Sequence, residues 1–362
     1  MKFIRLVVFS ITASFIWLPH ATAEPYFPPA TGTWKTVLSK EAGFDAKKIE
    51  QVLDYAEEMM SSSVVVLYQG RIVAERHVHP EKDSESATPR YRRMVVDTTK
   101  DGHNVEDVAS VQKSVISFLA GVAIGKGRLG LEDPAAKYLG EGWSKATKEQ
   151  ETAITVRHLM SMSSGLNDAL EYQVSAGTMW RYNTGAYSKT VPVLEKALGM
   201  SIDDLTRKYI TGPIGMADSR WEPRPWAIRN DAANKIGFAT SARDLARVGI
   251  LMLADGTWDG KDILQSPGYL KESISSSQDM NPAYGLLWWL NGKASYLRAA
   301  NPSRTAGSMV PTAPDDMVSA NGALSRHLFI VPSMDLVVTR LGNNPGRGFV
   351  PEFWLLLMAA RN

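Results

Sequence analysis

Ser110-Val111-Gln112-Lys113, followed at once by the apolar run Val115-Ile116-Ser117-Phe118-Leu119-Ala120-Gly121-Val122-Ala123-Ile124, decides how this chain is read. It is the only Ser-x-x-Lys in the 362 residues. On a helix, residues three apart share a face and lie one turn from each other. The spacing therefore predicts the Lys113 amine beside the Ser110 hydroxyl, at the head of a buried helix. A serine hydroxyl becomes a nucleophile when a neighbouring base takes its proton, and an amine is such a base once its pKa falls. Free lysine titrates near ~10.4, and burial lowers that by up to roughly 3–5 units. Alone, the tetrapeptide fits a capping serine and a solvated lysine equally well, so the flanking sequence has to decide.

Outward from this point the chain is strand-rich toward both ends. Residues 45–60 carry Ile49, Val52, Leu53, Ala56 and Met59-Met60 at helical spacing. Ser63-Val64-Val65-Val66-Leu67-Tyr68 and Ile72-Val73-Ala74-Glu75-Arg76 follow, joined by Gln69-Gly70-Arg71, and predict a hairpin. The polar residues 79–104 read as a long loop. Residues 127–280 read as mostly helical with Gly and Pro breaks. A second hairpin is predicted from Leu328-Phe329-Ile330-Val331 and Leu336-Val337-Val338-Thr339-Arg340 across Pro332-Ser333-Met334-Asp335, and an apolar helix, 353–360, closes the chain. The fold class this predicts is α/β of the α+β kind: an antiparallel sheet completed by the two termini, flanked by terminal helices, with a mostly helical region inserted. The expected domains are a signal peptide over 1–23, a sheet domain from 24–126 and 280–362, and an inserted helical domain over 127–279.

Lys2 and Arg5, an apolar run over residues 6–18, Pro19 and Ala21-Thr22-Ala23 have the form of a secretory signal cleaved before Glu24. The run is shorter than the ~20 residues that span a bilayer, so the expectation is export to the periplasm or medium without stable membrane insertion. The chain has no cysteine, which excludes thiol nucleophiles, thiolate metal sites and disulfides. It has 40 basic and 38 acidic residues, and removing Lys2 and Arg5 with the leader leaves 38 of each sign. That balance gives no reason to expect nucleic acid as a partner.

Two further segments stand beside the serine. Trp180-Arg181-Tyr182-Asn183-Thr184-Gly185-Ala186-Tyr187 precedes an amphipathic helix over 191–198, placing a tyrosine on a turn where its hydroxyl faces a cleft. Beside a lysine ammonium its phenol is expected to lose its proton more readily and to relay protons to and from a serine. Upstream, His158-Leu159-Met160-Ser161-Met162-Ser163-Ser164-Gly165-Leu166 ends a helix at a small-residue turn.

Taken in order, these segments resemble the β-lactamase-like serine hydrolase superfamily, most closely its branch of 6-aminohexanoate-dimer hydrolases and related esterases. The likeness continues through Pro213-Ile214-Gly215-Met216, Thr240-Ser241-Ala242-Arg243-Asp244-Leu245-Ala246-Arg247, Tyr284-Gly285-Leu286-Leu287-Trp288-Trp289 and Asp335-Leu336-Val337-Val338. The resemblance implies a β-lactamase/transpeptidase-like fold and a serine acyl-enzyme mechanism without a cofactor. Ser110 is then the nucleophile, Lys113 its partner and Tyr182 the proton carrier of the second motif.

The chain departs from the family pattern twice. Many relatives have Tyr-x-Asn in the second motif, where this chain has Thr184 in the Asn place. The third motif, Lys-Thr-Gly or His-x-Gly in β-lactam-active relatives, is replaced by Met317-Val318-Ser319-Ala320-Asn321-Gly322, with no cation to meet a β-lactam carboxylate. Neutral short-chain esters or amides are therefore expected to be better substrates than penicillins, with Arg326 the nearest replacement cation. Thr184, Ser319, Asn321 and Gly322 are the expected substrate-binding residues, and the segment 319–324 is expected to add a backbone N–H to that of Ser110 as an oxyanion hole.

His158 reads as structural, and His77 and His79 as two imidazoles too few for a metal site. Trp180, Trp221, Trp226, Trp288 and Trp289 read mainly as core, one or two of them walling the cleft. No His-Glu-x-x-His and no Gly-x-Ser-x-Gly is present. The reading is an exported serine hydrolase of a small ester or linear amide. A β-lactamase, a D-amino-acid peptidase and a non-catalytic binding or sensing relative are its alternatives.

Overall fold

A computed structural model describes residues 25–78, 87–299 and 301–362. The signal segment 1–23 and His79 lie outside the described residues. The helix α1, Ala46–Glu58, starts where the Asp45 carboxylate accepts from the backbone N–H groups of Lys47 and Lys48. It buries Ile49, Val52, Leu53 and Ala56, the residues its periodicity selects. Strands β1, Ser61–Tyr68, and β2, Arg71–His77, form the first hairpin, with Gln69 and Gly70 of the turn both left-handed.

Four short strands then make a separate antiparallel sheet in the order β3-β4-β6-β5. They are β3, Val95–Thr98; β4, Asn104–Asp107; β5, Arg220–Pro223; and β6, Ile236–Thr240. This corrects the reading of 79–104 as one loop, and adds strands to a middle read as mostly helical. A single helical turn, α2, Pro89–Arg92, precedes β3. A two-residue hairpin, β7 (Thr257–Trp258) and β8 (Lys261–Asp262), lies later in the middle segment. The strands were hidden because they are four or five residues long, and because β4 buries Asn104, Glu106 and Asp107, whose polarity reads as loop. Burial of such groups depends on partners far away in sequence.

The main sheet has six strands in the order β2-β1-β14-β13-β12-β9. Here β9 is Trp289–Leu290; the hairpin β10 (Ser295–Arg298) and β11 (Asn301–Ala306) stands apart; and β12 is Val318–Gly322, β13 Arg326–Val331 and β14 Leu336–Gly342. Pairing of β1 with β14, Val65 opposite Thr339, joins the two ends of the chain in one antiparallel sheet, as the strand pattern predicts. Successive side chains alternate between its faces. Val64, Val66, Phe329, Leu336 and Val338 pack with α1 and the closing helix Phe349–Ala359. Val65, Leu67, Ala320, Leu328, Ile330 and Val337 pack on the other side with the helices Gln112–Gly125 and Ala242–Leu253. A Cβ on Gly249 would stand 2.4 Å from Val337 Cγ1, so only glycine lets the second of these helices lie this close to the sheet.

Candidate active site

Strand β4 ends at Asp107 and leads into a strained turn. Ala109 has φ +52°, and its N–H donates to Asp107 Oδ1 at 2.9 Å. A non-glycine residue in this region stores strain that its surroundings must hold. The turn Ala109–Val111 runs into the helix α3, Gln112–Gly125, buried from Gln112 to Ala123. Lys113, on its first turn, is 2% exposed, while Ser110 is half-buried and opens onto a cleft.

Lys113 Nζ donates to Ser110 Oγ at 3.1 Å. Burial first, and then the positive charge of Arg224, push the ammonium down to about 7. The amine lies 4.3 Å over the Tyr187 ring and 5.1 Å over the Tyr182 ring. The Ser110 hydroxyl is the polar group that acts on the Tyr182 phenol, opposing the effect of burial, whereas the Tyr187 hydroxyl accepts from Gln112 Nε2 at 3.3 Å. Of the two tyrosines, Tyr182 is thus the one on which Ser110 acts. Burial raises its phenol to about 12. This corrects the expectation of an acidified phenol: the group that titrates near neutrality is the lysine.

Tyr182 is held by its neighbours in sequence and by an aromatic box. The Asn183 side chain accepts from Ala186 N at 2.9 Å, capping the next helix, and donates to Leu166 O and Asn167 O at 2.7 and 3.0 Å. The second motif is thereby tied to the turn that follows His158. That ring stays at its own helix start, where Nδ1 meets the backbone and side chain of Thr155 at 3.1 Å, the structural part its sequence suggests. Trp289 stacks on Tyr182 with centroids 5.9 Å apart, and Tyr284 meets it edge-on at 6.4 Å. Thr184 is half-buried and lines the same cleft as Ser110.

The cleft is about 420 Å³ and is lined by Arg93, Ser110, Thr184, Arg224, Trp226 and Ala323 among others. Trp226, at 43% exposed, is the tryptophan that walls it. The other four candidates are not in its lining: Trp180, Trp288 and Trp289 are buried, and Trp221 is half-buried.

The third-motif segment is arranged differently from its reading. Ser319 pairs with Phe329 and Asn321 with His327 across β12 and β13. Directly paired residues share a face, and Phe329 faces the α1 side of the sheet. Ser319 and Asn321 therefore turn away from α3, with Asn321 Oδ1 on His327 Nδ1 at 2.8 Å and Ser319 1% exposed. The strand residue facing α3 is Ala320, a methyl group. Gly322 is where β12 meets the serine turn: a Cβ there would stand 2.5 Å from Val108 O. Ala323, the next residue, lines the cleft.

Arg326 does not supply the missing cation. It is fully buried and paired with Glu106 at 2.6 Å. Its Nη1 donates to Ala323 O at 3.3 Å, while Arg340 Nη1 donates to Leu324 O at 2.7 Å and Ser325 O at 3.1 Å. Leu324 and Ser325 are both left-handed, with φ +61° and +56°. Two buried arginines thus fix this turn from behind by three successive carbonyls.

Sequence reading missed the network under Ser110. Arg224 grips Asp107 with both arms at 2.7 Å, and its Nη2 also donates to Gln112 Oε1 at 2.8 Å. Gln112 Nε2 donates to Asn234 Oδ1 at 2.9 Å. The one local signal was Gln112, inside the Ser-x-x-Lys itself. Among the described residues no group of three or more His, Asp or Glu side chains is arranged to hold a metal ion. His77 lies between Ser63 and Glu75, stacked 3.6 Å from His103.

A sheet closed by both termini, with a serine and a buried lysine at the head of the helix crossing it, defines the class. The chain belongs to the beta-lactamase family, whose model matches residues 47–360. An uncharacterized protein of Alkalihalophilus pseudofirmus is 24% identical over 326 residues, which are 83% of this chain and 88% of that protein. A Bacteroides dorei structure assigned as a beta-lactamase superposes with a TM-score of 0.65 at 15% identity, covering 88% of this chain and 99% of its own. A Bacillus anthracis structure assigned as a 6-aminohexanoate-dimer hydrolase gives 0.61 at 15% identity, covering 93% and 89%.

Proposed function

We propose that this protein is an exported serine hydrolase that cleaves a carboxylic ester or a small, linear amide through an acyl-enzyme on Ser110. The observation that carries the reading is the 3.1 Å contact between Ser110 Oγ and a buried Lys113 amine that titrates near about 7. In its neutral form Lys113 takes the hydroxyl proton as Ser110 attacks the carbonyl carbon. The backbone N–H groups of Ser110 and Ala323 are the proposed oxyanion hole, held by the strained turn at Ala109 and by the arginine-pinned turn after Gly322. Tyr182, a phenol throughout, passes the proton to the leaving alcohol or amine. Water then attacks the acyl carbon and gives a proton to Lys113, which returns it to Ser110 Oγ as the acyl–oxygen bond breaks and the acid leaves. The expected order of substrates follows from the third-motif segment: residues 317–322 carry no cation, so a rigid bicyclic β-lactam lacks a partner there for its carboxylate.

A fluorophosphonate should label the wild-type chain and fail to label Ser110→Ala, which also loses turnover of p-nitrophenyl butyrate while its Tm stays within about 2 °C. Labelling or full turnover by Ser110→Ala would overturn the assignment. Nitrocefin should be hydrolysed with a kcat/KM far below that of p-nitrophenyl butyrate, and comparable values would overturn the substrate order. Export is tested by N-terminal sequencing of the secreted chain, expected to begin at or near Glu24.

A further inference from the structure

The cleft at Ser110 is cationic although the chain as a whole is nearly neutral. Its charged lining residues are three arginines, Arg90, Arg93 and Arg224, and one aspartate, Asp107. Asp107 is already held by both arms of Arg224. Arg90 and Arg93 are exposed, and among the described residues neither has a carboxylate within ion-pair distance. The turn presenting them is firmly seated: Thr88 Oγ1 accepts from Tyr91 N, and the buried Tyr91 hydroxyl joins Glu106 at 3.3 Å and Asn104 at 3.1 Å. The adjoining recess shares Ala233 and Asn234 with this cleft; of its charged lining residues, Lys145, Asp168, Asp231 and Lys235 are ion-paired, and Lys189 has no carboxylate partner among the described residues. The exposed indole of Trp226 lines the cleft with the arginines.

Beside the candidate nucleophile stand two guanidinium groups without a carboxylate partner among the described residues, and their planar forks match a carboxylate. The geometry points to a substrate that carries a carboxylate on a flexible chain, its acid bound by Arg90 and Arg93 and its apolar stem lying on Trp226. This rests on the hydrolase reading and narrows its substrate class. The chemical step is unchanged: water's oxygen ends on the acyl carbon, and the leaving alcohol or amine takes the proton. A linear chain bends to reach α2, whereas a carboxylate fixed on the β12 side of a rigid ring has only Ala323, the one residue of that segment in the cleft lining, and no cation there.

Matched ester pairs test this with the full chain. One pair carries the charge on the acyl half, p-nitrophenyl hydrogen adipate against its methyl ester. The other carries it on the leaving half, 4-(butyryloxy)benzoate against its methyl ester. In at least one pair the acid should be favoured in kcat/KM by about tenfold, the difference between one charged and one neutral hydrogen bond. The preference should shrink as salt is raised, because the arginines are exposed. In the Arg90→Gln, Arg93→Gln double variant the loss for the acid should exceed the loss for its methyl ester by the same factor. Equal rates within both pairs, or equal losses in the double variant, overturn the carboxylate site while leaving the hydrolase standing. If no ester is turned over and no probe labels Ser110, the hydrolase reading falls. The anion site is then judged by calorimetry of monomethyl adipate on Ser110→Ala. Binding that the double variant loses supports the site, and no binding, or binding that survives, overturns it.

Discussion

Lys113 sits where three effects compete for one proton. Burial strips water from the ammonium and is the largest, the Arg224 charge adds to it, and the flanking tyrosine rings stabilise the cation too weakly to reverse them. A base that titrates near about 7 should give a kcat/KM that rises with pH through that value. Arg224 makes this testable at a distance. Arg224→Gln removes a positive charge and leaves Asp107 without its partner, so both changes raise the Lys113 pKa and move the limb to higher pH. A merely structural role for Arg224 would lower the plateau without moving the limb. The same shift bears on stability. The folded pKa lies below the unfolded ~10.4, so the unfolded chain binds more protons between about 7 and 10 and stability rises with pH across that window. Lys113→Met should therefore melt higher than wild type at pH 6 while losing turnover.

At the scale of elements, the turn joining β12 to β13 depends on side chains from elsewhere. Arg340, on β14, holds Leu324 O and Ser325 O, and its remaining donors go to Ser61 Oγ, Met59 O and Asn343 O. Arg340→Gln leaves several of these buried acceptors unsatisfied and should cost roughly 2–4 kcal/mol. Because the same change frees the turn at Ala323, kcat for p-nitrophenyl butyrate should fall by more than KM rises. Unchanged kcat at a lowered Tm would show that the turn is held without Arg340. Much of this scale was legible in the sequence. The spacing of Ile49, Val52, Leu53 and Ala56 gave α1, and the β-branched runs gave both hairpins of the main sheet. What was not legible is polar. Glu106, Arg326 and Arg340 are hidden by one another, and a residue's burial by a partner over two hundred positions away leaves no local pattern. The facing of Ser319 and Asn321 was missed for a related reason: in a period-2 strand a shift of one residue exchanges the faces, and both were read toward the α3 side, where Ala320 stands. The juxtaposition of Ser110, Lys113 and Tyr182 was legible because helix spacing and a turn before a helix are local signals.

At the scale of the whole molecule, the Pro-rich lead-in, residues 25–34, is held both by the first hairpin and by the helix Ala242–Leu253. Trp34 Nε1 donates to Gly70 O at 2.8 Å, and Tyr26 N donates to Gln69 O at 3.1 Å, fixing the segment on the first hairpin. A Cβ on Gly70 would stand 2.0 Å from Tyr26 O, so this crossing requires glycine there. On the other side Arg247, from the helix Ala242–Leu253, donates to Pro28 O, Pro29 O and Ile214 O at 2.7 to 3.0 Å and lies over the Trp34 ring. One buried guanidinium thus ties the lead-in, that helix and the segment ending at Ile214. Its ion pair with Asp244 is long, 3.6 Å, and burial followed by the charge of Asp218 holds the Asp244 carboxyl up at about 7. A carboxyl whose folded pKa is raised contributes stability that is full at acid pH and lost as pH climbs toward 7. Arg247→Met keeps the volume but removes the cation nearest Asp244, so that loss should deepen. The variant should melt lower than wild type at every pH, by roughly 2–4 kcal/mol from the unsatisfied carbonyls, and its deficit should widen between pH 4 and 8. The kcat/KM for p-nitrophenyl butyrate should stay within about twofold, because Arg247 lies outside the cleft lining. Thermal melts across that pH range decide it. A constant deficit would mean that Arg247 serves the lead-in carbonyls alone, and no deficit would mean that the lead-in is held by its hairpin contacts without it.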